Sequence, residues 1–262
     1  MNKHTFAVCA YKESEYLEEC IRSVKGQSVS TNVIVATSTP NLYIQGLCEK
    51  YDIPLYINEG ECGITQDWNF AYKKAESEYV TIAHQDDVYD THYVKEMMDM
   101  LQTATKPIIF FSDYGEIRNG KFVIKNNLLT IKRIMLLPLR FNLLWKSRFV
   151  RRRILSLGSP ICCPSVTFVK DNCPIQVFQH GFRADEDWEA WEMLSKRKGS
   201  FVYSPKKLVY HRIHGESETS KILEDNARTK EDLIMFCKFW PLPIAKILVK
   251  LYGTSEKSNK LS

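Results

Sequence analysis

The chain has 262 residues, 44% of them hydrophobic and 26% charged, which is ordinary for a globular protein and excludes disordered and fibrous classes. Its formal charge of +5 is unevenly held: twelve of the 36 Lys and Arg fall within residues 117–170, where there is no Asp or Glu, so all 31 acids belong to the remaining body. No apolar run reaches the ~18 residues that a membrane span needs, and no signal-type segment opens the chain.

Phe6–Ala10 is a short apolar run that predicts a first strand. Ser14 then offers a helix cap, and Leu17, Cys20, Ile21 and Val24 recur at helical spacing until Gly26. Val33–Ala36 predicts a second strand, Leu42–Tyr51 a helix and Pro54–Ile57 a third strand. Thr65–Ala75 predicts a helix with Trp68, Ala71, Tyr72 and Ala75 on one side. Glu78–Ala83 predicts a fourth strand that ends at His84-Gln85-Asp86-Asp87, followed by a helix over Thr91–Leu101 and a fifth strand over Pro107–Phe111. This alternation predicts an α/β fold with a mainly parallel sheet, helices on both faces, and ligands at the carboxyl ends of the strands. Further on, Asp185–Lys196 reads as helical and Phe201–Tyr210 as extended, with tail helices from about Lys221 and after Pro241. The eight cysteines are irregularly spaced without a CxxC pair, so reduced, buried thiols and a cytoplasmic compartment are expected.

Three clusters carry chemistry. Asp86 and Asp87 at a strand end need positive charge between them, and a divalent cation bearing a diphosphate would supply it. The alternative is an Asp-rich cap before the next helix, with His84 either a further ligand or a polar loop residue. Asp185-Glu186-Asp187 precedes Trp188-Glu189-Ala190-Trp191. Those acids either favour a helix dipole or, between two tryptophans, form a sugar-sized surface on which a carboxylate acts as a base. His211-Arg212-Ile213-His214 is the third, with Arg212 and His214 on one face of an extended segment.

Together these clusters resemble the family 2 glycosyltransferases, inverting enzymes of the GT-A fold, over roughly residues 5–220. Phe6–Glu13 and Tyr16–Ser28 are similar to that family's first strand and helix. Gly63, Trp68-Asn69 and Ala75 before Tyr79–Ile82 resemble its third helix and the strand leading to the metal motif. His84–Asp87 stands at the Asp-x-Asp motif, Glu186–Trp191 at the Glu-Asp motif, and Tyr210–Ser217 at the Arg-x-His segment. The resemblance implies donor binding by Ala10, Tyr11, Glu13, Thr37, Asn69, Gln85, Asp86 and Arg212. It implies Mn2+ or Mg2+ on Asp86, Asp87 and His214, and Asp187 as the base with Glu186 orienting it or the acceptor. The donor expected is a UDP-sugar, and the acceptor a saccharide or lipid-linked oligosaccharide in cell-surface polysaccharide synthesis. Residues 1–115 would then bind the nucleotide sugar, 116–220 the acceptor, and 221–262 would form a helical tail.

Two departures stand out. The acid expected after the second strand is missing from Ala36-Thr37-Ser38-Thr39-Pro40-Asn41, and His84 replaces the first acid of Asp-x-Asp. They leave a decayed, membrane-associated scaffold as one alternative. A sugar-phosphate nucleotidyltransferase is the other, but it would open with a Gly-rich loop where Tyr11–Glu15 has no glycine.

Residues 128–155 mix large apolar side chains with Lys132, Arg133, Arg140, Lys146, Arg148 and Arg151-Arg152-Arg153. Cations and hydrophobes without acids describe an interfacial helix on the anionic inner face of the cell membrane. Nucleic acid is not the expected partner, because the apolar residues would serve no phosphates. The alternative is a helix pair packed on the acidic body. The tail after Phe239, with Lys246 and Lys250, is a second amphipathic candidate for the domain, another subunit or the membrane.

Overall fold

The computed structural model describes residues 2–214 and 227–257. Four short apolar runs become the strands β1 (His4–Ala10), β2 (Asn32–Thr37), β3 (Leu55–Ile57) and β4 (Tyr79–His84), all mutually parallel in the order β3-β2-β1-β4. Three helices cross between them: α1 (Leu17–Lys25), α2 (Leu42–Tyr51) and α3 (Ile64–Lys74). The spacing read in α1 is the packing observed, with Leu17, Cys20, Ile21 and Val24 all buried. Asn41 starts α2 by accepting the Ile44 amide at 2.9 Å, and Asp52 ends it in the left-handed region at φ 49°.

Beyond β4 come β5 (Val88–Tyr89), α4 (Tyr93–Thr103), β6 (Pro107–Arg118) and β7 (Lys121–Val123). The insert then folds as α5 (Asn127–Leu136), two short 3-10 turns and α6 (Arg148–Leu155). After it follow β8 (Val166–Val169), α7 (Glu186–Ser195), β9 (Ser200–Ile213), α8 (Ala227–Cys237) and α9 (Leu242–Lys257). The predicted tail helix near Lys221 and the Gly215-Glu216-Ser217 end of the third cluster lie outside the described residues.

One nine-stranded sheet runs β3-β2-β1-β4-β8-β6-β9-β5, with β7 on β6. It is mixed rather than uniformly parallel in its second half: β8 lies antiparallel between β4 and β6, while β6 and β9 are parallel. The expected boundary near residue 115 falls inside β6, so the sheet is continuous across it. Trp188 and Trp191, offered above as sugar-stacking groups, are both fully buried. Trp188 packs on Phe236 and Tyr252 and donates from its indole to Leu155 O at 3.0 Å, and Trp191 stacks on Phe168. They are core residues.

Much of the insert's charge also turns inward. Arg151, 1% exposed, stacks on the Phe201 ring and donates to the carbonyls of Ser195 (2.8 Å), Gly199 (2.6 Å) and Arg197. Arg133 pairs with Asp113 and Arg152 with Glu192, each at 2.7 Å. The internal-packing alternative thus accounts for these three cations.

Candidate active site

Parallel register aligns the carboxyl ends of the first strands. Cys9 lies beside His84 and Ala10 beside Thr37, so the loops after β1, β2 and β4 open on one edge. Gln85 ties that edge together, accepting the Tyr11 amide (2.9 Å) and donating to the Tyr11 carbonyl (3.1 Å). The Gln85 side chain therefore shapes the loop rather than offering itself to a ligand. Ala10 is buried, whereas Tyr11 (43% exposed) and Glu13 face outward. The Thr37 hydroxyl accepts the Thr39 amide at 3.0 Å. Asn69 is a correction: its amide donates to Phe178 O (2.7 Å) and accepts from the amides of Val177 and Phe178, so it pins that loop and has no group left for a donor.

The acid missing after β2 has a spatial neighbour. Asp67 of α3 accepts from the Ser38 hydroxyl (2.6 Å) and the Asn58 amide (2.7 Å), joining the ends of β2 and β3. Sequence gave no signal for this, because the three residues belong to different loops and helices.

Asp86 and Asp87 differ. Asp87 is fully buried; one oxygen accepts from His211 Nδ1 and the Arg212 amide, both at 2.9 Å, and the other has no hydrogen-bond partner. Asp86 is half-buried and pairs with His214 Nε2 at 2.9 Å. Burial works against its ionisation, but that bond and the nearby imidazoles keep its carboxyl below the usual range. His84 stacks on Trp68 (4.9 Å, 13° between planes), and its buried Nε2 also lacks a partner. Burial lowers the His84 pKa, which favours the neutral imidazole that ligates metals.

Among the described residues, His84, Asp86 and Asp87 form the one group of three with ligand atoms mutually within 4.8 Å. Two orphaned buried atoms and oxygen-rich chemistry fit a divalent cation. His84 thus takes the third place in the geometry, while His214 binds Asp86 itself. Arg212 also differs from expectation. Its guanidinium stacks on Tyr16 (4.3 Å), donates to Asp86 O (2.9 Å) and pairs with Glu19, so it braces the acidic loop. Burial opposes charge on His211, but Asp87 outweighs it and pushes the pKa up to about 9.

Asp187 sits in the first turn of α7, half-buried, with Oδ1 accepting the Trp188 amide at 2.5 Å. Burial raises its pKa, and the ammonium of Lys132 on α5 opposes that rise. Glu186 beside it is buried. The two acidic groups meet around the buried thiols Cys162 and Cys163, which burial pushes up and which feel the charges of both Asp87 and Asp187. The turn before α7 is held from outside: Glu231 of α8 accepts the amides of Arg183 (3.0 Å), Ala184 (2.8 Å) and Asp185 (3.2 Å).

The profile of glycosyl transferase family 2 matches residues 5–170, more than half of the chain. The chain belongs to that family. Solved structures agree on a GT-A fold. A 1–349 fragment of S. aureus TarS aligns over 95% of this chain and 69% of its own, at TM-score 0.59 and 16% identity. The same fragment solved with UDP-GlcNAc aligns at 0.58 and 17%, over 95% of this chain and 70% of its own. A Pyrobaculum calidifontis mannosyltransferase, PcManGT, in complex with GDP-Man and Mn2+, aligns at 0.61 and 13%, over 96% and 69%. No curated protein matches by sequence.

Proposed function

We propose that this glycosyltransferase moves a sugar, with inversion, from a UDP-sugar to a hydroxyl of a saccharide or lipid-linked oligosaccharide in cell-surface polysaccharide synthesis. It would work on the inner face of the cell membrane, with residues 1–115 holding the donor and 116–220 the acceptor. The observation that supports this most is the meeting of a His-Asp-Asp cluster at the end of β4 with a half-buried Asp187 of raised pKa. UDP-GlcNAc bound to the TarS fragment supports the choice of donor class, and Mn2+ in PcManGT supports the ion.

Mn2+ or Mg2+ held by His84, Asp86 and Asp87 would neutralise the charge that builds on the departing diphosphate. His214 and Arg212 orient Asp86, and His211 orients Asp87, so the carboxylates are fixed before a donor arrives. Asp187 accepts the proton of the acceptor hydroxyl. Burial makes its carboxylate a stronger base than one in water, and Lys132 keeps it ionised. With one base on the face opposite the leaving group, attack is in line and the anomeric centre inverts.

Thermal unfolding with UDP- and GDP-sugars, with and without MnCl2, tests the donor. A UDP-sugar should raise Tm only when the metal is present. Asp187→Asn should keep that shift and lose transfer by ~100-fold or more, as expected for loss of a general base. The proposal fails if no nucleotide sugar shifts the unfolding and Asp187→Asn leaves turnover unchanged.

A further inference from the structure

We propose that α5, the turns after it and α9 form one docking surface for an anionic lipid bilayer, and that α5 also walls the acceptor side of the active site. This rests on the proposed transferase only for the identity of the acceptor. The inward-turned cations Arg133, Arg151 and Arg152 are not part of it. What faces outward is a different set: Ile131 and Ile134 on α5, then Leu137, Phe141 (67% exposed), Leu143 (77%) and Phe149 (74%). Arg140, Lys146 and Arg148 are exposed among them.

The last helix extends the same surface. Trp240, just before it, donates from its indole to Ser156 O at 2.8 Å and carries Arg153 on its ring at 4.9 Å. Arg153 also reaches the exposed Phe149 ring. Further along α9, Tyr252 lies so close to Gly158 that a Cβ there would come within 2.6 Å of its ring. Ile244, Ile247 and Leu251 are exposed, with Lys246 between them.

Charge decides the occupant. A soluble protein rarely leaves a broad apolar surface uncovered, and protein interfaces rim such surfaces with charges of both signs. Here the rim is cationic only, since residues 117–170 contain no acid, and Lys238 to Ser255 contain none either. One sign of charge around aliphatic and aromatic tips fits a uniformly anionic plane into which those tips insert.

The link to the site is α5 itself. While Ile131 and Ile134 face outward, Lys132 faces inward, donating to the Tyr114 hydroxyl at 3.0 Å and acting on Asp187. A helix is about 10 Å across, so lipid beneath α5 would bring an acceptor on a lipid phosphate close to the base.

The test is co-sedimentation of the full chain with phosphatidylcholine vesicles, alone or mixed with phosphatidylglycerol, at low and high salt. Binding is expected only with the anionic lipid and should weaken as salt screens it. Each cation at such a surface is worth about five-fold in partitioning, so Arg140→Gln, Lys146→Gln and Arg148→Gln together should lose on the order of a hundred-fold. Phe141→Ser, Leu143→Ser and Phe149→Ser together should lose at least about ten-fold. Both triple variants alter exposed side chains, and unchanged thermal unfolding shows that they fold. Folded wild-type protein that ignores anionic vesicles overturns the proposal, as does binding that both variants leave intact. A dimer in light scattering that the serine variant dissociates, without vesicle binding, would assign the surface to a second copy and also overturn it. No donor is needed, so this outcome and that of the nucleotide-sugar assay are independent.

Discussion

Glu231 lies outside the region matched by the family profile, yet the turn that leads into α7 depends on it. Its carboxylate accepts three successive amides, those of Arg183, Ala184 and Asp185, and so does the work of a cap where Asp185 provides no side-chain cap. Glu231→Ala removes all three acceptors. Arg183 is exposed and Ala184 half-buried, so water can replace part of the loss, and only the Asp185 amide is fully stranded. A value of about 1 kcal/mol per bond therefore applies rather than the full burial penalty, giving about 3 kcal/mol. For a chain of this size, that corresponds to a fall in Tm of about 6–12 °C. Glu231→Gln should behave differently. It keeps one acceptor oxygen and removes a negative charge that raises the pKa of Asp185, so the two effects offset and the net change should stay within about 1 kcal/mol. Calorimetry gives the first quantity. Hydrogen exchange of the peptide spanning 182–188 gives the second, with about 100-fold faster exchange expected in the Ala variant. A Tm within about 2 °C of wild type, together with unchanged exchange in that peptide, would refute the capping role.

Arg151→Gln strands three backbone carbonyls and the Phe201 face, so a loss of about 3–5 kcal/mol and poor soluble yield are expected, whereas Arg148→Gln should stay within about 0.5 kcal/mol by urea unfolding. Stability should fall as pH rises. His211 is raised from 6.5 to about 9, so its contribution is whole below 6.5 and is lost as pH passes through 9. Asp185, raised to about 9 by burial and then by Asp232, stays protonated in the fold while the unfolded chain ionises above 3.8, which pulls in the same direction. Tm in EDTA should therefore decline between pH 6 and pH 9, with His211→Gln flattening the part above 6.5; a flat profile in the wild type would contradict the ion pair. Asn69→Ala should cost about 2 kcal/mol through the loop at Val177–Phe178, and thermal unfolding of the free protein would show the loss without any donor.

The first four strands and three helices were legible because each is a local pattern: a buried apolar run, or apolar residues three and four apart. β8 was not, since Val166–Val169 is four residues buried on both faces and has neither period. The acidic motifs were legible as motifs, but their partners were not. Arg212 was expected at the donor and is held by Glu19, 193 residues away in sequence; Asn69 was expected there too and holds a loop 109 residues away. His84, which looked like a damaged aspartate, has its ring stacked on Trp68 and sits within ligand distance of both acids.

The sequence by itself determined the order of strands and helices, the place of the carboxylates and the acid-free character of residues 117–170, because these follow from residue type and spacing along the chain. Only the tertiary structure decided which charges are available. Of the insert's cations, Arg151 is closed in by three carbonyls, Arg133 and Arg152 by carboxylates, and Lys132 by the active site, while Arg140, Lys146 and Arg148 remain in solvent. Charge is a property of a residue, but its partner and its exposure to water are properties of the packing, and those set its energy.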